Sequence, residues 1–227
     1  MTMQKIRLAV DAVVFGYDRQ YTQIGLLLIK RKIEPFINQW ALPGGLVHNE
    51  ESLEEAVSRE LQEETGVTIN YLEQLYTFGT PNRDPRNRVV SVAYFGLVRP
   101  DMFTLHASTD ALEAEWFEIH NLPPLAFDHQ QIIDIALERI RSKVRYEPIG
   151  FELLEEKFPF SDLEKLYTTL LQEDIDRRNF KKKLMSLGVI EELQEHYTSG
   201  AGRPAKLYRF NRKEYFELKE MGGNFSI

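Results

Sequence analysis

Apolar residues recur at two periods along this chain, and the changes of period mark its elements. Residues 6–15 and 24–30 are nearly continuous apolar, β-branched runs, which predict buried strands. Val89 to Val98 is a third such run, and Glu115-Trp116-Phe117 predicts a shorter, later strand. Between them the spacing turns helical. Leu53, Ala56, Val57 and Leu61 fall on one side of a helix at roughly 100° per residue. Ser52 and Glu55 have the spacing of a capping box, and Gly66 suits the left-handed residue that ends a helix, so a helix is predicted over Ser52 to Thr65. A second apolar stripe, from Ile132 through Ala136 and Ile140 to Val144, predicts a helix that begins at Asp128, whose side chain suits its cap.

The pattern changes after Tyr146-Glu147-Pro148-Ile149-Gly150, a stretch of breaker residues. Ser161 and Glu164 read as another capping box, opening a helix with Leu163, Leu166, Tyr167 and Leu170 inward. A break at Gln172 to Asp174 precedes a helix from about Asp176 to Leu187, which Gly188 ends. Val189 to Tyr197 and Ala205 to Phe210 predict two strands, joined by a turn over residues 198–204. Helix, turn, helix and β-hairpin is the order of a winged helix-turn-helix. Two domains are expected, residues 1–147 and 151–221.

Composition narrows the classes. The 227 residues are enough for two cores. The absence of cysteine excludes disulfides and thiol catalysis. No apolar run reaches membrane-spanning length and Met1 to Lys5 does not begin a signal peptide, which predicts a cytoplasmic protein with no membrane partner. The net charge of −7 argues against a non-specific polycation. The tail is near neutral, with 13 Lys+Arg and 14 Asp+Glu from residue 150 onward. Its cations are nevertheless gathered. Arg177, Arg178, Lys181, Lys182 and Lys183 crowd the second tail helix, and Arg203, Lys206, Arg209, Arg212 and Lys213 follow in the wing with no acid among them. A helix and a wing are the two parts of such a module that meet DNA. Arg177, Arg178, Asn179, Lys181 and Lys182 are the candidate helix contacts in a major groove, and Arg203 and Lys206 the candidate wing contacts, with Arg203 placed for a minor groove. The same features also suit a solvated basic face on a protein-docking or dimerisation module.

The strongest chemical signal is residues 45–67, GLVHNEESLEEAVSRELQEETGV. Glu60, Glu63 and Glu64 continue the apolar side of the predicted helix, three and four residues apart, where solvated charges would face away. Such carboxylates repel one another unless something positive sits between them. Oxygen ligands of this kind suit Mg²⁺ or Mn²⁺, which bridges to phosphate. The spacing of Gly45, Glu51, Arg59-Glu60-Leu61, Glu63-Glu64 and Gly66-Val67 resembles the complete Nudix box of hydrolases that cut nucleoside diphosphates linked to another group. The resemblance implies metal ligation by Gly45, Glu60, Glu63 and Glu64. It marks Arg59, Glu60, Glu64 and Glu113 as catalytic candidates, with Glu113, Glu115 and Glu64 all open as the general base. Trp40-Ala41-Leu42-Pro43-Gly44-Gly45 resembles the strand end and glycine turn before that helix, where Gly44 lets backbone approach a phosphate. Arg83, Arg86 and Arg88 lie in a loop that contacts the diphosphate or terminal sugar in the related ADP-ribose pyrophosphatases, as the forked guanidinium suits. His129, beside a helix start, reads as structural.

Taken whole, the chain resembles the Nudix-related transcriptional regulators. The resemblance rests on Asp176-Arg177-Arg178-Asn179-Phe180, Gly202-Arg203-Pro204-Ala205 and Ala126-Phe127-Asp128-His129, together with the Nudix box. It implies an α+β protein, a Nudix α/β/α sandwich with a mixed sheet followed by a winged helix. It also implies a homodimer that binds an operator of two half-sites in double-stranded DNA near sugar or NAD metabolism genes. A small-molecule effector, a nucleotide sugar such as ADP-ribose or a simple sugar, would control it. Many members have eroded boxes and do not hydrolyse, whereas this chain keeps the box whole. Three readings follow: a ligand-controlled regulator, a Mg²⁺-dependent pyrophosphatase with an accessory module, or both in one chain.

Overall fold

The structure is a computed structural model, and it describes residues 5–18, 23–69, 72–107, 111–147, 149–198 and 204–221. Pro148 and Arg203 fall outside them. The chain separates into two compact units, one holding Gln23–Arg139 with the first strand and the other continuing from Ile140.

The first unit is built on strand β1 (Arg7–Asp18). Val10, Ala12, Val13, Val14 and Phe15 have no exposed surface, because β1 is paired on both edges and covered on both faces. On one edge it runs parallel to β6 (Val89–Val98), with Val10 beside Val92. On the other it runs antiparallel to β2 (Gln23–Arg31) and to the short β4 (Gly44–Leu46). β3 (Trp40–Ala41) and β7 (Ala111–Glu118) both pair with β2, and β5 (Glu73–Phe78) pairs with β6. The sheet therefore has seven strands and is mixed. The bounds of β5 were not legible in the sequence, because its burial is broken by exposed residues and a bulge.

Helix α1 (Leu53–Thr65) has the predicted ends. Ser52 accepts from the Glu55 N–H, Glu55 accepts from the Ser52 N–H at 2.8 Å, and Gly66 closes the helix at φ 75°. Ala56, Val57 and Leu61 pack on Val10, Ala12 and Val14 of β1. Helix α2 (His129–Tyr146) starts against the opposite face of β1, where His129 meets Asp11. Asp128, expected to cap it, directly precedes the helix, where its carbonyl accepts from the Gln131 and Ile132 N–H groups, and it gives both carboxylate oxygens to Arg83.

In the second unit α3 (Phe160–Leu171) begins earlier than expected. Its N-cap is Pro159, without a side-chain cap, so the Ser161–Glu164 capping box does not form. The reason is β8 (Lys157–Pro159), a three-residue strand that pairs with β10 (Ala205–Phe210) and runs directly into the helix. Gln172 ends α3 in the left-handed region, and Asp176 caps α4 (Arg177–Ser186) through the Asn179 N–H. β9 (Ile190–Tyr197) pairs with β10 to complete the wing sheet. A helix not anticipated, α5 (Arg212–Glu220), follows. The core here is aromatic: Phe160, Tyr167 and Phe180 are buried with Leu163, Leu166 and Leu184, and Tyr167 lies 4.9 Å from Phe180. Among the described residues no helix is long and apolar enough to cross a membrane.

Candidate functional site

Three strands and one helix set the glycine turn. β4 lies against β1, with Gly44 opposite Asp11 and Gly45 opposite Val10. The backbone approaches so closely that a Cβ on Gly44 would meet the Val10 carbonyl, and one on Gly45 would meet the Glu60 carboxylate. Gly44 then donates its N–H to Glu64 Oε2 at 2.9 Å. Glu64 is buried, 5% exposed, and aimed at the turn.

The positive charge that neighbouring carboxylates require is Arg59. Its guanidinium donates to both oxygens of Glu51, at 2.9 and 2.7 Å, and to Glu60 Oε1 at 2.9 Å, with Glu63 Oε2 at 3.4 Å. The structure thus gathers Glu60 and Glu63 around Arg59 and turns Glu64 to Gly44. Among the described residues no three Asp, Glu or His side chains converge as a ready ligand set. The Arg59 hydrogen bonds, helped by the His48 N–H, pull the Glu51 carboxyl down to about 2. Glu60 goes the other way: burial raises it above the ordinary carboxylate range, against the pull of Arg59. A desolvated carboxylate beside a glycine that leaves room for it is suited to a cation. Glu113 and Glu115 lie exposed on β7, and Glu113 accepts from Lys30 Nζ at 2.9 Å.

The arginine loop divides. Expected with Arg86 and Arg88 as a group that contacts the diphosphate or terminal sugar, Arg83 has a buried side chain, 5% exposed. It donates to Asp128 at 2.9 and 2.7 Å and to Asp11 Oδ2 at 3.2 Å. Arg86 is half-exposed, forked onto Asp84, and faces the Phe127 ring at 6.0 Å. Arg88 donates to the Val89 carbonyl. Asp11 also accepts from Ser91 Oγ at 2.6 Å. His129 completes this network: its Nδ1 accepts from the Leu42 N–H at 2.8 Å, while Nε2 stands 3.5 Å from Asp11 Oδ1. The network holds Leu42, two residues before Gly44, and so fixes the turn. Asp11 was missed in the sequence, although one acid inside the apolar run LAVDAVVFGY is the signal of a partnered buried charge.

His129 gives a pH prediction. Burial lowers its pKa below 6.5, outweighing the opposing pull of Asp11. The unfolded ring takes up a proton at about 6.5 and the folded ring only at lower pH, so acid favours the unfolded chain. The contribution of the neutral ring is complete above the unfolded pKa and drains away as pH falls through that value toward the folded one. Melting followed from about pH 7.5 to pH 5.5 should show this decline, and His129→Asn, which keeps an acceptor near Nδ1, should flatten it.

On the second unit the basic helix has two stripes. Arg177 and Lys181, four apart, are taken up by partners within the unit. Arg177 pairs with Glu164 and lies 5.6 Å from the Phe160 ring, and Lys181 Nζ donates to Tyr208 Oη at 2.5 Å. Asn179 donates its side-chain amide to Asp176 at 3.0 Å. Arg178 and Lys182, also four apart, are exposed and have no ion pair or hydrogen bond among the described residues. The wing stretch has no acid along the chain, yet β9 brings acids beside it. Glu192 pairs with Lys206 and Glu191 with Arg209. Glu192 was a further residue that sequence reasoning missed, since only strand pairing brings it to Tyr208.

The comparisons agree with both halves. Residues 5–135 match the model of the NUDIX domain, and residues 150–210 match that of the NrtR DNA-binding winged helix domain. The ADPR responsive transcriptional repressor NtrR of Acinetobacter baylyi is 32% identical over 212 residues, 92% of this chain and 83% of that protein. The ADP-ribose pyrophosphatase of Methanocaldococcus jannaschii is 48% identical over 125 residues, 55% of this chain and 69% of that protein. The crystal structure of Shewanella oneidensis NrtR complexed with a 27mer DNA superposes with a TM-score of 0.79 at 31% identity, covering 96% of this chain and 97% of that one. A Nudix sheet with its box helix, followed in one chain by the NrtR winged helix, places this protein in the family of Nudix-related transcriptional regulators.

Proposed function

We propose that this protein is a transcriptional repressor that binds double-stranded DNA through α4 and the wing and is released by a nucleotide sugar such as ADP-ribose in its Nudix unit. The observation that carries this reading is the outward stripe of Arg178 and Lys182 on α4, uncommitted within a module of the NrtR type. Arg86, Arg88 and the Gly44–Gly45 turn are the groups proposed to meet the diphosphate, with Arg83 holding the loop from below. We propose a homodimer on an operator of two half-sites, acting in the cytoplasm, since dimeric helix-turn-helix proteins bind paired half-sites. The test is selection of genomic fragments by the purified protein, with and without ADP-ribose. A few sites with symmetric half-sites are expected, weakened roughly 5- to 150-fold by the ligand. Retention of DNA without sequence preference would sink the proposal.

A second reading, hydrolysis, is favoured by the intact box and by the likeness to an ADP-ribose pyrophosphatase. The Gly45 carbonyl and the carboxylates of Glu60, Glu63 and Glu64 would hold Mg²⁺ or Mn²⁺. Such an ion supplies Lewis-acid polarisation of a phosphoryl oxygen and a more acidic bound water. The chain itself contributes the desolvated Glu60, the Arg59 clamp that orients it, and the Gly44 N–H that orients Glu64. Glu64→Gln should weaken Mn²⁺ binding or ADP-ribose cleavage about 10- to 100-fold and leave DNA affinity without ligand unchanged. Unaltered metal binding and cleavage in that variant would remove Glu64 from the site.

A further inference from the structure

Glu192 is an acid placed where a DNA-binding surface would be expected to repel one. It sits on β9, in register with Tyr208 of β10. One carboxylate oxygen pairs with Lys206 Nζ. The other accepts from Tyr208 Oη at 2.7 Å and lies 3.7 Å from Lys181 Nζ. Lys181 in turn donates to Tyr208 Oη at 2.5 Å and lies 4.8 Å from that ring. One carboxylate and one phenol therefore occupy a recognition-helix lysine and a wing lysine together. The cluster is half-open to water: the side chains of Lys181, Lys206 and Glu192 are 40%, 55% and 29% exposed. It is no stability device of consequence, since exposed pairs contribute little. Its consequence is electrostatic. Sequence-independent affinity for DNA grows with the number of phosphates that lysines and arginines neutralise, so two occupied lysines are two cations withheld.

We propose that Glu192 is a specificity-determining residue. Its carboxylate withholds Lys181 and Lys206 from the phosphates of indiscriminate duplex, while the outward pair Arg178 and Lys182 engages the operator. The asymmetry has a physical origin. On a random duplex the protein is held by mobile lysines, and any freed cation finds a phosphate. On an operator the register is fixed by base contacts, and cations outside that register gain less. The inference rests on the DNA-binding reading above.

The test uses the full chain and two duplexes, one of random sequence and one recovered by the genomic selection, each titrated across a salt series. Glu192→Gln keeps shape and removes charge. It should raise affinity for the random duplex about tenfold or more at low salt, and should steepen the slope of log affinity against log salt by up to about 2. Operator affinity should rise less, so the ratio of the two falls. Adding Lys181→Met and Lys206→Met to Glu192→Gln should return the slope to the wild-type value, which loosened folding would not do. Tyr208→Phe, which keeps the ring and removes the shared hydroxyl, should move the slope in the same direction by a smaller step. An unchanged slope, a loss of affinity, or an equal gain on both duplexes would overturn the proposal. Failure of the wild type to bind either duplex would overturn the DNA reading and this inference with it.

Discussion

Reversing two charges on the outward stripe of α4, Arg178→Glu with Lys182→Glu, should weaken operator binding about 100-fold or more at moderate salt. Both residues are exposed and neither has a partner among the described residues, so no fold contact is lost with them. Stability should stay within about 0.5 kcal/mol of the wild type, as for other surface changes away from packed features. Binding of ADP-ribose should also persist, because the change lies in the other unit. Electrophoretic shift assays on the operator, with melting temperatures as the control, decide the matter. A variant that still binds tightly would move recognition away from this stripe. The comparison pair, Arg177→Gln with Lys181→Gln, should cost less DNA affinity, because those cations already serve Glu164, Tyr208 and Glu192.

The second large effect is expected in the Nudix unit. Arg83→Leu should destabilise it by about 3–5 kcal/mol, because it leaves the buried Asp11 and the half-buried Asp128 without their cation. The melting temperature should fall by roughly 10 °C. This outcome separates two roles for the residue. An arginine that chiefly grips a diphosphate would, when removed, lose effector affinity and keep stability. An arginine that ties the 83–88 loop to β1 and to the start of α2 loses stability first. Denaturant titration gives the answer, and a loss below about 1 kcal/mol would contradict the buried-hub assignment. Arg86→Leu is the natural control. Its side chain is 45% exposed but its partner Asp84 is buried, so its loss should cost less stability than that of Arg83 and register also in effector affinity.

Much of this protein is legible along the chain because its signals are short-range. The capping box of α1, the glycine that ends it and the three- and four-residue spacing of Glu60, Glu63 and Glu64 are properties of one continuous segment. The same holds for the order of elements in the tail and for the NrtR-like motifs that mark the family. The capping box read at Ser161 shows where such signals stop. Its residues have the right spacing, but β8 pairs with a strand some fifty residues later and starts the helix early. Propensity proposes a helix end, and tertiary pairing overrides it.

What the sequence alone determined is the main strands and helices of both units, the metal-type box and the family. The tertiary structure decided which charges are free to act. Arg83 and Arg86 look equivalent three residues apart, yet one is buried between Asp11 and Asp128 and the other half-exposed over Phe127. Of the clustered cations on α4, Arg177 and Lys181 are engaged by neighbouring groups, whereas Arg178 and Lys182 are exposed without a partner among the described residues. The wing, acid-free along its own stretch, gained Glu191 and Glu192 from the neighbouring strand. The physical reason is one of range. Hydrophobic period and capping act within a few residues. The state of a charge depends on what packing brings within about 4 Å, from anywhere in the chain.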